Sequence, residues 1–213
     1  MPPRGRPADT AGKAQRRDDI LAAAARVFAR HGYAGTEMQA VADEAGLAKG
    51  TLYLYYEGKE QLFLDAVDRG VLRMKEFIHS AVDQISDPLE RIETAIIAYM
   101  NYFADHPEQV ELWVIERAVF RDRQTPAYFR HREAGIQVWH DLLRGLIAEG
   151  RLREIPIARI DDVLCDLLYG VMMTNHFSGR TRPPEQQARD VIDIAFHGIL
   201  SDRERRRRAK RNS

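Results

Sequence analysis

Gly46 divides the segment from Thr36 to Lys59, TEMQAVADEAGLAKGTLYLYYEGK, into two short helix-forming runs joined by a tight turn. Met38, Val41, Ala42 and Ala45 share one helical face before the turn, and Gly46 supplies the left-handed position that closes a helix and redirects the chain. Thr36 is placed to cap the first run, and Gln39, three residues on, can return the bond as in a capping box. Beyond the turn, Lys49, Gly50, Thr51, Tyr53 and Tyr55 interleave hydrogen-bond donors and aromatic rings with one residue that has no side chain. A helix, a glycine turn and a second helix of this composition suit a helix seated in the DNA major groove, with donors lying against the sugar-phosphate backbone.

The remaining punctuation is also helical. A first helix is expected from about Ala14 to His31, with Ile20, Ala24, Val27 and Phe28 on its apolar face and Gly32 ending it. A fourth starts after Gly58 and carries Phe63, Val67, Val71, Met74 and Ile78 at helical spacing to about Ser80. Asp87-Pro88-Leu89-Glu90 reads as a cap, a proline at the first helical position and an acid in the first turn. His106-Pro107 and Thr125-Pro126 restart the chain in the same way, and Gly150 ends the helix after the second of them. Ile157 to about Phe177 and Glu185 to about Leu200 complete a set of about nine helices, with no alternating strand pattern anywhere. The expected fold class is all-α.

From Ile20 to Leu62 the chain resembles the DNA-binding domain of the TetR-type transcriptional repressors. The match is carried in order by Ile20, Ala24, Phe28, Gly32, Thr36, Val41, Ala42, Ala45, Gly46, Leu47, Lys49, Gly50, Tyr53, Tyr55, Tyr56, Lys59 and Leu62. The resemblance implies a three-helix helix-turn-helix domain at residues 14–60, after a basic extended arm at 1–13. It implies a helical effector-binding and dimerisation body at 61–200, followed by a basic tail at 201–213. It further implies that Thr36 caps the second helix and bonds a phosphate, and that Lys49 and Thr51 face the groove with Gly50 permitting close approach. Tyr53 and Tyr55 would reach phosphates or thymine methyls, and Lys59 would bind a phosphate. Of Tyr55 and Tyr56, one is expected in the core, and Tyr56 is the better placed; Leu52 is expected there too. The chain departs from the family in having Ala48 where Ser or Thr is common, so its recognition helix lacks a hydroxyl cap worth about 1 kcal/mol.

Charge is segregated along the chain. Residues 1–59 hold 9 basic and 7 acidic side chains, 60–200 hold 16 and 23, and 201–213 hold 7 and 2. An acidic body repels DNA and confines contact to the basic elements. Arg4 and Arg6, flanking Gly5 before Pro7, suit a narrow AT-rich minor groove, or else a solvated start to the chain. The tail from Arg203 to Arg211 is either solvated or a non-specific contributor to DNA affinity. A single cysteine, Cys165, excludes an internal disulfide and a thiolate zinc cluster, and fits a reducing cytoplasm. The longest stretch without Asp, Glu, Lys or Arg, Leu167 to Gly179, falls short of the ~20 residues that cross a bilayer. No signal peptide is read at the start, and neither cofactor nor membrane partner is expected.

So short a recognition helix is a weak reader alone, and such readers act as homodimers on half-sites about 34 Å apart. Leu164, Leu168 and Val171, with Ile192 and Phe196, offer the terminal apolar faces for that interface, the alternative being internal packing within one subunit, and the resemblance implies the dimer. In the middle helices Tyr99, Phe103, Trp113, Arg117, Trp139, Met172 and His176 supply aromatic, sulfur and polar groups of the kind that line a small-molecule pocket. The same residue types build an ordinary helical core. Taken as a set with the resemblance, they imply an apolar or aromatic effector that releases the protein from double-stranded DNA. A helical protein-binding adaptor would explain the aromatic middle without the ordered pattern from Lys49 to Lys59. A magnesium-dependent helical enzyme would have to use Asp161, Asp162 and Asp166, whose spacing is wrong because Cys165 occupies the third aspartate's place. No phosphate loop, zinc-protease or serine-hydrolase motif is present.

Overall fold

The computed structural model describes residues 8–180 and 182–198, and the helices below are those of the described residues. They are α1 (Ala8–Gly35), α2 (Met38–Glu44), α3 (Lys49–Tyr53), α4 (Lys59–Val82), α5 (Pro88–Asp105), α6 (Pro107–Val119), α7 (Ala127–Ala148), α8 (Ile157–Ser178) and α9 (Pro184–His197). The all-helical expectation holds, and the helix boundaries follow the proline and glycine punctuation closely.

One boundary differs. The extended arm was expected to reach residue 13, but α1 already begins at Ala8. Pro7 is the last helix-interrupting residue of the arm, and the run ADTAGKAQRR after it contains only one glycine among good helix formers. Gly32 then breaks α1 with φ 68°, as expected from its position.

The chain forms two compact units, divided within α4 and α7. The first takes the described part of Met1–Ser80 together with Asp105–Asp141; the second takes Ala81–Ala104 with the described part of Leu142–Ser213. The first unit's core is built by Ile20, Ala24 and Phe28 of α1, Val41 and Ala42 of α2, Leu52 of α3, and Leu62, Phe63 and Val67 of α4, all fully buried. Ala23, Ala24 and Ala25 keep the α1 surface low, which lets α2 and α6 come close to it. Phe63 meets Phe28 edge-on at 4.9 Å and stacks with Phe120, at the end of α6, at 5.3 Å. Tyr33 closes the ring cluster against Phe63 at 5.4 Å and Phe120 at 5.1 Å. Ion pairs lace its surface: Asp18 of α1 holds Arg69 of α4 at 2.6 Å, and Arg17 holds Asp65 at 2.7 Å.

A carboxylate that carries no signal in the sequence closes the turn from α6 to α7. Glu116 is 1% exposed, accepts the Ala127 N–H at 3.2 and 3.3 Å, and pairs with Arg123 at 2.6 Å. It therefore caps α7 from across the turn. Burial pushes its carboxyl above the usual range, against the opposing pull of the Ala127 N–H and Arg123.

In the second unit, Asp87 caps α5 as expected, its Oδ1 accepting the Leu89 N–H at 2.9 Å and the Glu90 N–H at 3.0 Å. Its Oδ2 pairs with Arg151 at 2.6 Å. The Arg151 bond, helped by the Glu90 N–H, lowers the carboxyl from 3.8 to about 2. Because the folded value lies below the ordinary one, the stabilisation is fully present above pH ~4 and disappears as the pH falls towards ~2. Asp87→Ala is expected to lower the melting temperature at neutral pH, and the gap from wild type should close over that acid window in thermal melts. A gap independent of pH would show that the ionised carboxylate contributes nothing.

Candidate nucleic-acid interface

The turn between α2 and α3 is built by hydrogen bonds that a glycine makes possible. Gly46 has φ 67°. Its N–H donates to Asp43 O at 3.1 Å, and the Leu47 N–H donates to Ala42 O at 2.8 Å, so two of the carbonyls left open at the end of α2 are satisfied. Arg26 and Arg30 of α1 then grip Glu44 at 2.7 and 2.5 Å and fix the end of α2 against α1. These two arginines are thereby committed to the fold.

Helix α3 is anchored by Leu52, fully buried within it, and by Tyr56 just beyond its end. The expectation that Tyr56 and not Tyr55 enters the core is met: Tyr56 is buried and accepts a bond from Arg17 Nε at 3.1 Å, whereas Tyr55 is half-buried. Lys49 and Gly50 are exposed, Thr51 is half-buried, and Tyr53 is 46% exposed. Ala48 stands at the N-cap and offers no side-chain bond, so the helix does lack the hydroxyl cap. Gly50 has no positive φ, and a Cβ placed on it would meet nothing within 4 Å.

Two expectations need correction. Thr36 does not cap α2: its hydroxyl donates to Gly32 O at 2.7 Å, the N-cap is Glu37 without a side-chain bond, and Gln39 turns instead to Asp43 at 2.7 Å. The break at Gly32 leaves a carbonyl without a helical partner, and the nearby hydroxyl takes it. At 2% exposure, the Thr36 side chain offers no surface to a phosphate. Lys59 is likewise turned inward, donating to Ala34 O at 3.3 Å and Thr36 O at 3.1 Å with its ammonium 4.8 Å from the centre of the Tyr33 ring. Two of its three donors clamp the start of α4 to the turn before α2. Arg4, Arg6 and the tail from Arg203 to Arg211 lie outside the described residues.

One exposed residue of this surface is absent from the sequence-based set. Leu54, at the C-cap of α3, is 84% exposed. Helical periodicity held the signal, because a residue two after Leu52 and two before Tyr56 points away from both.

The remaining candidates fall into separate groups. Within the second unit, Tyr99 meets Phe103 at 4.8 Å between ring centres and donates its hydroxyl to Met172 Sδ at 3.6 Å, and all three are buried. His176 is half-buried beside Phe177. Within the first unit, Trp113 is buried against Tyr128 at 4.8 Å, Trp139 is half-buried, and Arg117 is exposed and not drawn into that packing. Leu164, Leu168 and Val171 of α8 and Ile192 and Phe196 of α9 are all only half-buried, while Val163, Phe177 and Ile194 on the same helices are exposed. Cys165 is half-buried and bonds Asp161 at 3.4 Å. Among the described residues no helix is long and apolar enough to cross a membrane.

Residues 20–66 match the family described as bacterial regulatory proteins, tetR family. The HTH-type transcriptional repressor KstR2 of Mycobacterium tuberculosis is 30% identical over 156 residues, which cover 72% of this chain and 74% of the relative. KstR2 of Rhodococcus jostii is 29% identical over 91% of this chain and 95% of its own. The fold is similar to that of the fatty acid degradation regulator FadR from Bacillus halodurans, with a TM-score of 0.74 at 19% identity over 86% of this chain and 96% of that one. It is also similar to FadR from Bacillus subtilis, solved in complex with stearoyl-CoA, with a TM-score of 0.68 at 17% identity over 85% and 98% of the two chains.

Proposed function

The chain belongs to the tetR family of bacterial regulatory proteins, ligand-responsive regulators of transcription, and from that premise we propose that it is a repressor binding a palindromic operator as a homodimer. The observation that carries this reading is the division of labour along α3. Leu52 and Tyr56 are locked in the core while Lys49, Gly50 and Tyr53 stand exposed and Thr51 stands half-exposed at its rim. A rigid helix that turns donors and an open glycine outward is prepared for the major groove. Lys49 and Thr51 are assigned to the groove floor or its walls, Tyr53 and Tyr55 to the flanking phosphates, and Arg4 and Arg6 to the adjacent minor groove. Lys59 positions the turn through its bonds to the Ala34 and Thr36 carbonyls.

The half-buried apolar residues of α8 and α9 support the dimer, since Leu164, Leu168, Val171, Ile192 and Phe196 would gain further burial from a second copy. The buried Tyr99, Phe103 and Met172 group of the second unit, with His176, is assigned to effector binding; Trp113 and Trp139 of the first unit are the further candidates. Aromatic and sulfur groups suit an apolar ligand. The stearoyl-CoA held by the Bacillus subtilis neighbour makes long-chain acyl thioesters the first class to try. An effector releases the operator only by favouring the conformation whose recognition helices no longer match the half-site spacing.

Selection of bound sequences from a random DNA pool tests the reading. A palindrome should be enriched, and Lys49→Ala should weaken binding to it about tenfold by removing one charged contact per half-site. If the purified protein enriches no sequence, the proposal fails.

A further inference from the structure

Leu54 is the most exposed of the large hydrophobic side chains among the described residues, at 84%. Single exposed leucines are common and carry no message by themselves. This one sits where position matters. At 100° per residue, Leu52 and Tyr56 define the buried side of the α3 segment, and Leu54 lies opposite their midpoint. Gly50, four residues earlier, lies on the same outward side, and the space where its Cβ would stand is open. The centre of the outward surface is thus apolar and low, flanked by Tyr53 on one side and Thr51 and Tyr55 on the other.

Phosphates and the polar base edges gain nothing from a leucine. The apolar feature that the major groove presents is the C5-methyl group of thymine. We propose that Leu54 reads a thymine methyl group in each half-site, with Gly50 giving the clearance that lets the leucine reach the base edge. This rests on the DNA-binding reading above and adds a base preference to it. A contact confined to thymine adds discrimination beyond what contacts to phosphates supply.

Deoxyuridine removes the thymine methyl and leaves base pairing intact, so it isolates the contact. On the enriched operator, thymines are replaced one position at a time, symmetrically in both half-sites, and affinity is measured for wild type and for Leu54→Ala. One position should cost the wild type about fourfold per methyl lost, the equivalent of removing one buried methyl(ene) group. Leu54→Ala should bind the thymine operator more weakly and fail to distinguish thymine from deoxyuridine at that position. Its melting temperature should match wild type, because so open a side chain contributes little to the fold. If no thymine matters, or the variant remains as sensitive as wild type, this inference is overturned while operator binding stands. If no operator is enriched at all, the DNA-binding reading falls and takes the inference with it.

Discussion

Gly50→Leu leaves the protein folded and lowers its affinity for the operator by roughly 100-fold or more. The two halves of this expectation have separate origins. Inside the molecule nothing requires a glycine at position 50, since its φ is not positive and a Cβ there meets nothing. Glycine in a helix is in fact slightly unfavourable, by ~0.5–1 kcal/mol relative to alanine, so replacing it should hold or raise the melting temperature. Outside the molecule the position is central. Its side chain would project from the same face as Leu54 and hold α3 away from the base edges. A dimer suffers the obstruction twice, and contacts worth ~1–3 kcal/mol per half-site are lost together. Calorimetric melting and fluorescence anisotropy at fixed salt separate the two effects. Unchanged affinity would mean that this face of α3 does not approach DNA, whatever else the protein binds.

Gly46, four residues earlier, makes the contrast. With φ 67° it holds the Ala42 and Asp43 carbonyls of α2 in their turn bonds, so a side chain there strains the fold itself. In the sequence these are two glycines in one motif. Their spacing and company were enough to assign one to the turn and the other to the surface, because both roles are local. The same holds for the caps and restarts at Asp87, Pro88, Pro107 and Gly150, where the residues that end or start a helix are themselves the signal.

What could not be read depends on partners distant along the chain. Lys59 reaches back 25 residues to the Ala34 carbonyl, and no local pattern announces that its ammonium is already engaged. Thr36 had a good local role as a cap, yet the carbonyl freed by the break at Gly32 took its hydroxyl. Glu116 lies on α6 with no local pattern to mark it, and the folded turn buries it over the start of α7. Leu54 failed for a different reason. A leucine two positions from a core leucine invites assignment to the core, and only the helical phase of Leu52 and Tyr56 turns it outward.

Phe63→Ala should have the largest effect on stability, about 3–5 kcal/mol, because a fully buried aromatic ring leaves a cavity that its neighbours cannot fill. Here the neighbours are themselves rings. Phe28 at 4.9 Å, Tyr33 at 5.4 Å and Phe120 at 5.3 Å hold Phe63 from α1, from its last turn beyond the Gly32 break and from the end of α6. Each such aromatic contact adds ~0.5–1.5 kcal/mol to the area buried, so the loss should lie towards the upper end of the range. The cluster also makes α6 part of the unit that carries the recognition helix. Phe120→Ala, at a half-buried position, should therefore cost less than Phe63→Ala, yet speed hydrogen exchange in α1 and α2 as well as in α6. Urea titration gives the first quantity and exchange rates resolved by helix give the second. Faster exchange confined to α6 would mean that the helix-turn-helix is stable without it, and that a signal reaching α6 would stop there. Exchange that rises across all three helices would identify the ring cluster as the physical joint through which a displaced α6 can alter the seating of α3.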